Sequence, residues 1–196
     1  MTRAFFNDHA DTWDKNSTEQ DTSKLERMVE RLSLKPGMTV LDIGTGTGVF
    51  LPHLLKTIGR KGQVIALDIA EKMLLQAQEK GFAGEIAFLC ADVTDIPLQT
   101  EICDAVVCYS SFPHFQNKPK ALREMRRVLK KGGCVFICHT SGREAINRIH
   151  HSVPLLHHDL LPDDAAMQTL LQTADFTEIN VEDEADSYLA TAKKTH

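Results

Sequence analysis

Val40-Leu41-Asp42-Ile43-Gly44-Thr45-Gly46-Thr47-Gly48 is the stretch on which the reading of this chain turns. A short apolar run with a β-branched bias, Thr39 to Ile43, ends in three alternating glycines, and Gly48 to Ile58 then has helical character. Glycines lacking a Cβ let the backbone turn tightly and approach a ligand closely. The start of the following helix offers free N–H groups to that ligand. A dinucleotide fingerprint, G-x-G-x-x-G, needs its third glycine at position 49. This chain has Val49 there, and its glycine is at 48. Asp42 stands two residues before Gly44, at the mouth of the turn. A carboxylate at that point repels a pyrophosphate and suits a ligand with a cationic amine, so both details favour an amino-acid-bearing nucleoside over NAD.

Outward from this turn, strands and helices alternate. Leu25, Met28, Val29 and Leu32 give residues 17–33 a helical stripe. Further strands are expected at Gln63–Leu67, Glu85–Cys90, Cys103–Tyr109 and Cys134–Cys138, with two weaker ones near 176–182 and 186–192. Helices are expected over about Ala70–Lys80, Lys118–Leu129 and Asp163–Ala174, and Lys131-Gly132-Gly133 reads as a turn. This alternation predicts βαβ units and a mostly parallel sheet, which binds ligands outside the carboxyl ends of its strands. Asp68 ends the second strand, where a carboxylate accepts hydrogen bonds from both ribose hydroxyls. Asp92 ends the third, within reach of an adenine amine. Three acids at successive strand ends form a pattern that loop composition alone rarely produces.

These residues make the chain resemble the class I S-adenosylmethionine-dependent methyltransferase superfamily over about residues 36–138, including the Leu129-Lys130-Lys131-Gly132-Gly133 turn. Within it, the chain is similar to the small bacterial type-11 proteins grouped with ubiquinone and menaquinone methyltransferases. The resemblance implies an α/β fold, a three-layer Rossmann-like sandwich with a seven-stranded, mostly parallel sheet of order 3-2-1-4-5-7-6 and an antiparallel last strand. It implies that Asp42, Gly44, Thr45, Gly46 and Gly48 hold the methionine portion of S-adenosylmethionine. Asp68 would hold the ribose, Ile69 and Met73 would pack beside the adenosine, and Asp92 and Val93 would meet the adenine edge. Cys108 and Tyr109 would close the pocket near the methionine. Ala10-Asp11-Thr12-Trp13-Asp14 resembles the family's A-x-x-W-D entry segment, with Trp13 covering the cofactor.

The 196 residues read as a single methyltransferase domain, with a helical cap over 1–35 and a lid-like connection over 139–161 above the substrate mouth. Lys and Arg total 22 against 27 Asp and Glu, a net charge of −5, which argues against a nucleic-acid binder. The basic run from Lys118 to Lys131 reads as a solvated helix face. No apolar run has the ~18 residues of a membrane span. Five cysteines (Cys90, Cys103, Cys108, Cys134 and Cys138) and no N-terminal secretion signal point to the cytoplasm, with the thiols as buried small hydrophobes. The expected partner is a small-molecule substrate, without nucleic acid or membrane, on a monomer or homodimer.

Histidine is the unusual feature. Five of the nine lie between 139 and 158. His114 and His139 follow neighbouring strands, so either is a candidate general base. His114, His139 and His150 together are a candidate set for a divalent metal, and surface decoration of a lid is the plainer reading. Methyl transfer to a small molecule is the leading function. A non-catalytic S-adenosylmethionine-binding protein and an NAD-dependent oxidoreductase are the alternatives.

Overall fold

The computed structural model describes residues 2–16 and 21–196, so positions 17–20 of the expected first helix lie outside the described residues. In chain order the elements are α1 (Thr2–His9), a 3-10 turn (Ala10–Thr12), α2 (Trp13–Asn16), α3 (Thr22–Arg31), β1 (Thr39–Ile43), α4 (Leu51–Ile58), β2 (Gln63–Asp68), α5 (Glu71–Glu79), β3 (Ile86–Cys90), β4 (Cys103–Tyr109), a second 3-10 turn (Phe112–His114), α6 (Lys118–Val128), β5 (Leu129–His139), α7 (Arg143–Ser152), α8 (Asp164–Thr173), β6 (Thr177–Glu184) and β7 (Ser187–Lys193).

The seven strands form one sheet of order β3-β2-β1-β4-β5-β7-β6. β1 pairs parallel with both β2 and β4, and the chain direction of the sheet reverses its winding between β1 and β4. β7 alone runs against its neighbours β5 and β6. Strands buried on both faces need apolar side chains in both directions. Val40, Val64, Ala66, Ala105 and Val107 face Leu25, Met28, Leu51, Leu54 and Ile58 of α3 and α4. Leu41, Ile43, Ile65, Val106 and Ile137 face Leu122, Met125, Ile146, Met167 and Leu171 of α6, α7 and α8. That gives the three-layer Rossmann-like sandwich.

Four local differences from the sequence reading have physical causes. Lys131-Gly132-Gly133 is not a free turn but part of β5. Cys103 pairs with Leu129, and Ala105 pairs with Cys134, so the extra residues form a bulge in which Gly132 takes φ 80°. Its N–H donates to the Lys194 carbonyl at 2.7 Å. Cys90 is exposed at the edge strand, while Cys103, Cys108 and Cys138 are buried and Cys134 is half-buried. The basic run on α6 is only partly solvated. Lys118 Nζ donates to the Pro113 and Phe115 carbonyls, and Arg127 donates to those of Ile96 and Leu98. Within the 139–161 connection, residues 143–152 form a regular helix, α7, whose Asn147 exchanges two hydrogen bonds with the backbone of Leu161.

Gly142 begins α7 with an ordinary φ of −70°, so no backbone strain requires glycine there. A Cβ at this position would instead run into the Glu184 carbonyl. Gly142→Ala is therefore expected to lower stability by about 1–3 kcal/mol through overpacking. Urea unfolding measures it, and a wild-type midpoint would mean that α7 and the β6–β7 hairpin separate freely.

Candidate active site

The carboxyl ends of β1, β2 and β4 open onto a cavity of about 400 Å³, within the range of small-molecule sites. Asp42, Gly44, Thr45, Gly46, Asp68, Ile69, Met73, Asp92, Val93, Tyr109, Trp13 and His114 line it. Gly48, Cys108, His139 and His150 do not.

Each glycine of the turn has its own reason. Gly44, Gly46 and Gly48 all have positive φ, at 70°, 55° and 83°. A Cβ on Gly44 would collide with the Ser111 side chain, whose Oγ donates to the Ile43 carbonyl at 2.6 Å. A Cβ on Gly48 would sit 2.9 Å from the Phe82 ring. Those two glycines serve packing behind the loop. Gly46 meets nothing within 4 Å and opens toward the cavity.

Asp42 is 1% exposed and the only hydrogen bond to its carboxylate among the described residues comes from the Thr45 hydroxyl at 2.7 Å. Burial, helped by the neighbouring Asp68 charge and opposed by the Thr45 bond, pushes its carboxyl up to about 7. No described salt bridge reaches it. A buried carboxylate without a cation, facing a cavity, fits a ligand that brings an ammonium group. Asp68 is 7% exposed, and burial raises its pKa while backbone N–H groups oppose the rise. Its Oδ2 accepts from the Gly46 N–H and its Oδ1 from the Ala70 N–H, both at 2.8 Å. Each oxygen retains a lone pair for a hydroxyl. The same carboxylate ties the glycine turn to the start of α5. Asp92 stands exposed at the rim, its Oδ1 accepting from the Thr94 N–H at 2.8 Å.

The N-terminal segment closes one side. Asp14 accepts from the Thr47 hydroxyl at 2.5 Å and pairs with Lys80 at 2.6 Å, which fastens the Trp13 turn to the glycine loop. Asn7 of α1 donates to Glu71 and accepts from the Lys72 N–H, supplying the cap that α5 lacks from its own Ala70. Phe6 lies edge-on to Trp13 at 5.3 Å and to His114 at 5.1 Å. Tyr109 stacks on Phe50 at 4.6 Å and shares a hydrogen bond with Thr140. Cys108 lies behind the wall, 3.0 Å from Ser111 Oγ, and burial pushes its thiol up to about 12.

The three histidines differ in their surroundings, although the His114 and His150 rings lie 4.9 Å apart. His114 reaches the cavity. His139 is 2% exposed, neither ring nitrogen has a partner, and burial together with the charges of His114 and His150 pulls it down to about 3. It is neutral at pH 7. His150 Nδ1 is hydrogen-bonded to the Asp159 carbonyl. The expected set His114, His139 and His150 is not drawn together as a metal centre. Among the described residues, no group of three or more His, Cys, Asp or Glu side chains is arranged to hold an ion. Sequence reasoning missed Phe6, Ser111 and Asp159. Phe6 and Asp159 had no motif, and Ser111 was visible only as a residue after the fourth strand.

Residues 41–137 match the methyltransferase domain family Methyltransf_11. The ubiquinone/menaquinone biosynthesis C-methyltransferase UbiE of Idiomarina loihiensis is 34% identical over 108 residues, 53% of this chain and 43% of that protein. The Vibrio vulnificus protein of the same name is 34% identical over 107 residues. The chain thus spans less than half the length of the curated relatives it matches. A SAM-dependent methyltransferase from Aquifex aeolicus superposes with a TM-score of 0.70, at 27% identity, over 88% of this chain and 93% of that one. A Haloferax volcanii chain crystallised with the Trm112 methyltransferase activator shares the fold, with a TM-score of 0.80 over 97% of this chain and 98% of that one, at 19% identity. The fold is that of class I S-adenosylmethionine-dependent methyltransferases, and residues 41–137 form a methyltransferase domain of the type-11 branch.

The raised Asp42 carboxyl has a measurable consequence. Below about pH 4 the group is protonated folded and unfolded alike. Between pH 4 and 7 the folded chain holds a proton that the unfolded chain has released, so stability falls as pH rises. Above about 7 the whole cost remains. Asp42→Asn should therefore raise stability at pH 8 by up to about 4 kcal/mol, with the gain vanishing toward pH 4. Thermal unfolding across that range checks it, and a pH-independent difference would contradict the assignment.

Proposed function

We propose that the protein transfers a methyl group from S-adenosylmethionine to a small-molecule acceptor. The observation that carries this reading is Asp42, a buried carboxylate with no cation of its own on the cavity floor. The ammonium of the amino-acid portion would supply that cation. Gly46 would let this portion lie against the loop, and Asp68 would accept from the ribose hydroxyls. Ile69 and Met73 would cover the adenosine, Asp92 and Val93 would meet the adenine edge, and Trp13 and Phe6 would keep water out. The bound cofactor supplies an activated methyl on sulfur; the protein's task is to place the acceptor in line with it and to exclude water.

His114 is the histidine that fits a base, because it lines the cavity. His139 serves this role less well, being buried and outside the cavity lining. A divalent metal forms no part of this reading. The family match ends at residue 137, before the connection that bears His139 and His150, so the ubiquinone/menaquinone biosynthesis named for the relatives is not carried over. The proposed setting is the cytoplasm, with the chain as a monomer or homodimer acting without nucleic acid. No described helix is long and apolar enough to cross a membrane.

Calorimetry with S-adenosylmethionine, S-adenosylhomocysteine and NAD tests the reading. The first two should bind and NAD should not; tight NAD binding, or none of the three, would overturn it. Asp68→Ala should weaken S-adenosylmethionine by about ten- to a hundredfold. It should also lower the unfolding midpoint, because the Gly46 and Ala70 N–H groups lose their acceptor. Unchanged affinity would remove Asp68 from the ribose site.

A further inference from the structure

His114 and Asp159 come from segments 45 residues apart, yet their side chains meet at 2.9 Å between Nδ1 and Oδ2 and are only 11% and 12% exposed. Asp159 is firmly held. Its N–H donates to the Leu156 carbonyl at 2.8 Å, and its own carbonyl engages His150. Two residues on, Leu161 is fixed by Asn147. The loop that carries His114 is held from the other side by Lys118, which donates to the Pro113 and Phe115 carbonyls. Burial alone would raise the Asp159 pKa. Hydrogen bonds from His114 and Gln116 and the nearby His114 and Lys118 charges outweigh it, so the carboxyl lies below its ordinary value.

An ionised carboxylate can only accept. The His114 nitrogen facing it must therefore carry a proton, and in the neutral ring Nε2 then keeps its lone pair. His114 lines the cavity, and Nε2 is the ring nitrogen not spent on Asp159. We propose that Asp159 is a positioning residue that fixes His114 as the Nδ1–H tautomer and so presents Nε2 to the methyl acceptor as the proton-accepting atom. This rests on the methyltransferase reading above. In the transfer, the acceptor's lone pair forms the new bond to carbon and the sulfur–carbon pair returns to sulfur. The acceptor's proton passes to Nε2, and from there to water. Asp159 balances the imidazolium charge in between. Such a base serves an acceptor whose reacting atom bears a proton, that is, a hydroxyl, a thiol or an acidic carbon. A tertiary amine would need none.

The test is nitrogen-15 NMR of the histidine rings in the full chain at pH 8, with His114 assigned by its loss in His114→Gln. The wild type should show His114 as the Nδ1–H tautomer, favoured about tenfold or more by the charge-assisted bond. Asp159→Ala should lose that preference, and Asp159→Glu should restore it at least in part. A wild-type ring in the Nε2–H form, or an Asp159→Ala ring unchanged in tautomer, would overturn the proposal. The wild-type spectrum decides even if the alanine variant does not fold. S-adenosylmethionine binding, measured separately on the same samples, tells failure of this proposal apart from failure of the methyltransferase reading.

Discussion

A carboxylate enclosed by protein at the end of a central strand, with no cation beside it, is the constraint around which this molecule is arranged. Asp42 lies at the end of β1, where the sheet changes winding direction and the strand ends part. Desolvating a charge is costly unless it is paired. The glycine turn and Ser111 behind Gly44 define the site's walls, and the Thr45 hydroxyl offsets only part of the cost. On the reading proposed above, that unmet charge preference would favour a cationic ligand group.

The remaining contacts keep that cavity in shape. Asp68 fastens the glycine turn to α5, Asn7 caps α5 from α1, and Asp14 links the Trp13 turn to Thr47 and Lys80. Asp68 thus holds the fold as well as carrying the proposed ribose contact, so a substitution there would report on both. The acceptor side is built differently. There Asp159 and His114 join the 153–163 segment to the turn after β4, and Phe6 and His150 flank the His114 ring.

Much of this was legible in the residues. The G-x-G-x-G turn, the strand-end acids and the alternation of apolar runs lead to a mostly parallel sheet and to the cavity floor, because periodicity and strand-end chemistry are local signals; the strand order followed from the family resemblance. Less legible was whatever depends on distant contacts. Nothing local distinguishes Gly46, which opens to the cavity, from Gly44 and Gly48, which are packed against Ser111 and Phe82. Histidine clustering in the sequence suggested three convergent rings, but a strand-end side chain points to one face of the sheet or the other. His139 is buried beside Tyr188 of β7 while His114 reaches the cavity. Asp159, in a stretch without motif, takes its meaning only from a partner 45 residues earlier.

The most direct measurement is an electron-density map of the protein crystallised with S-adenosylhomocysteine. The account predicts the ligand's ammonium within hydrogen-bonding distance of the Asp42 carboxylate, the ribose hydroxyls on Asp68, and His114 facing the sulfur end of the cavity. A ligand bound elsewhere, or bound here with its ammonium turned away from Asp42, would contradict it.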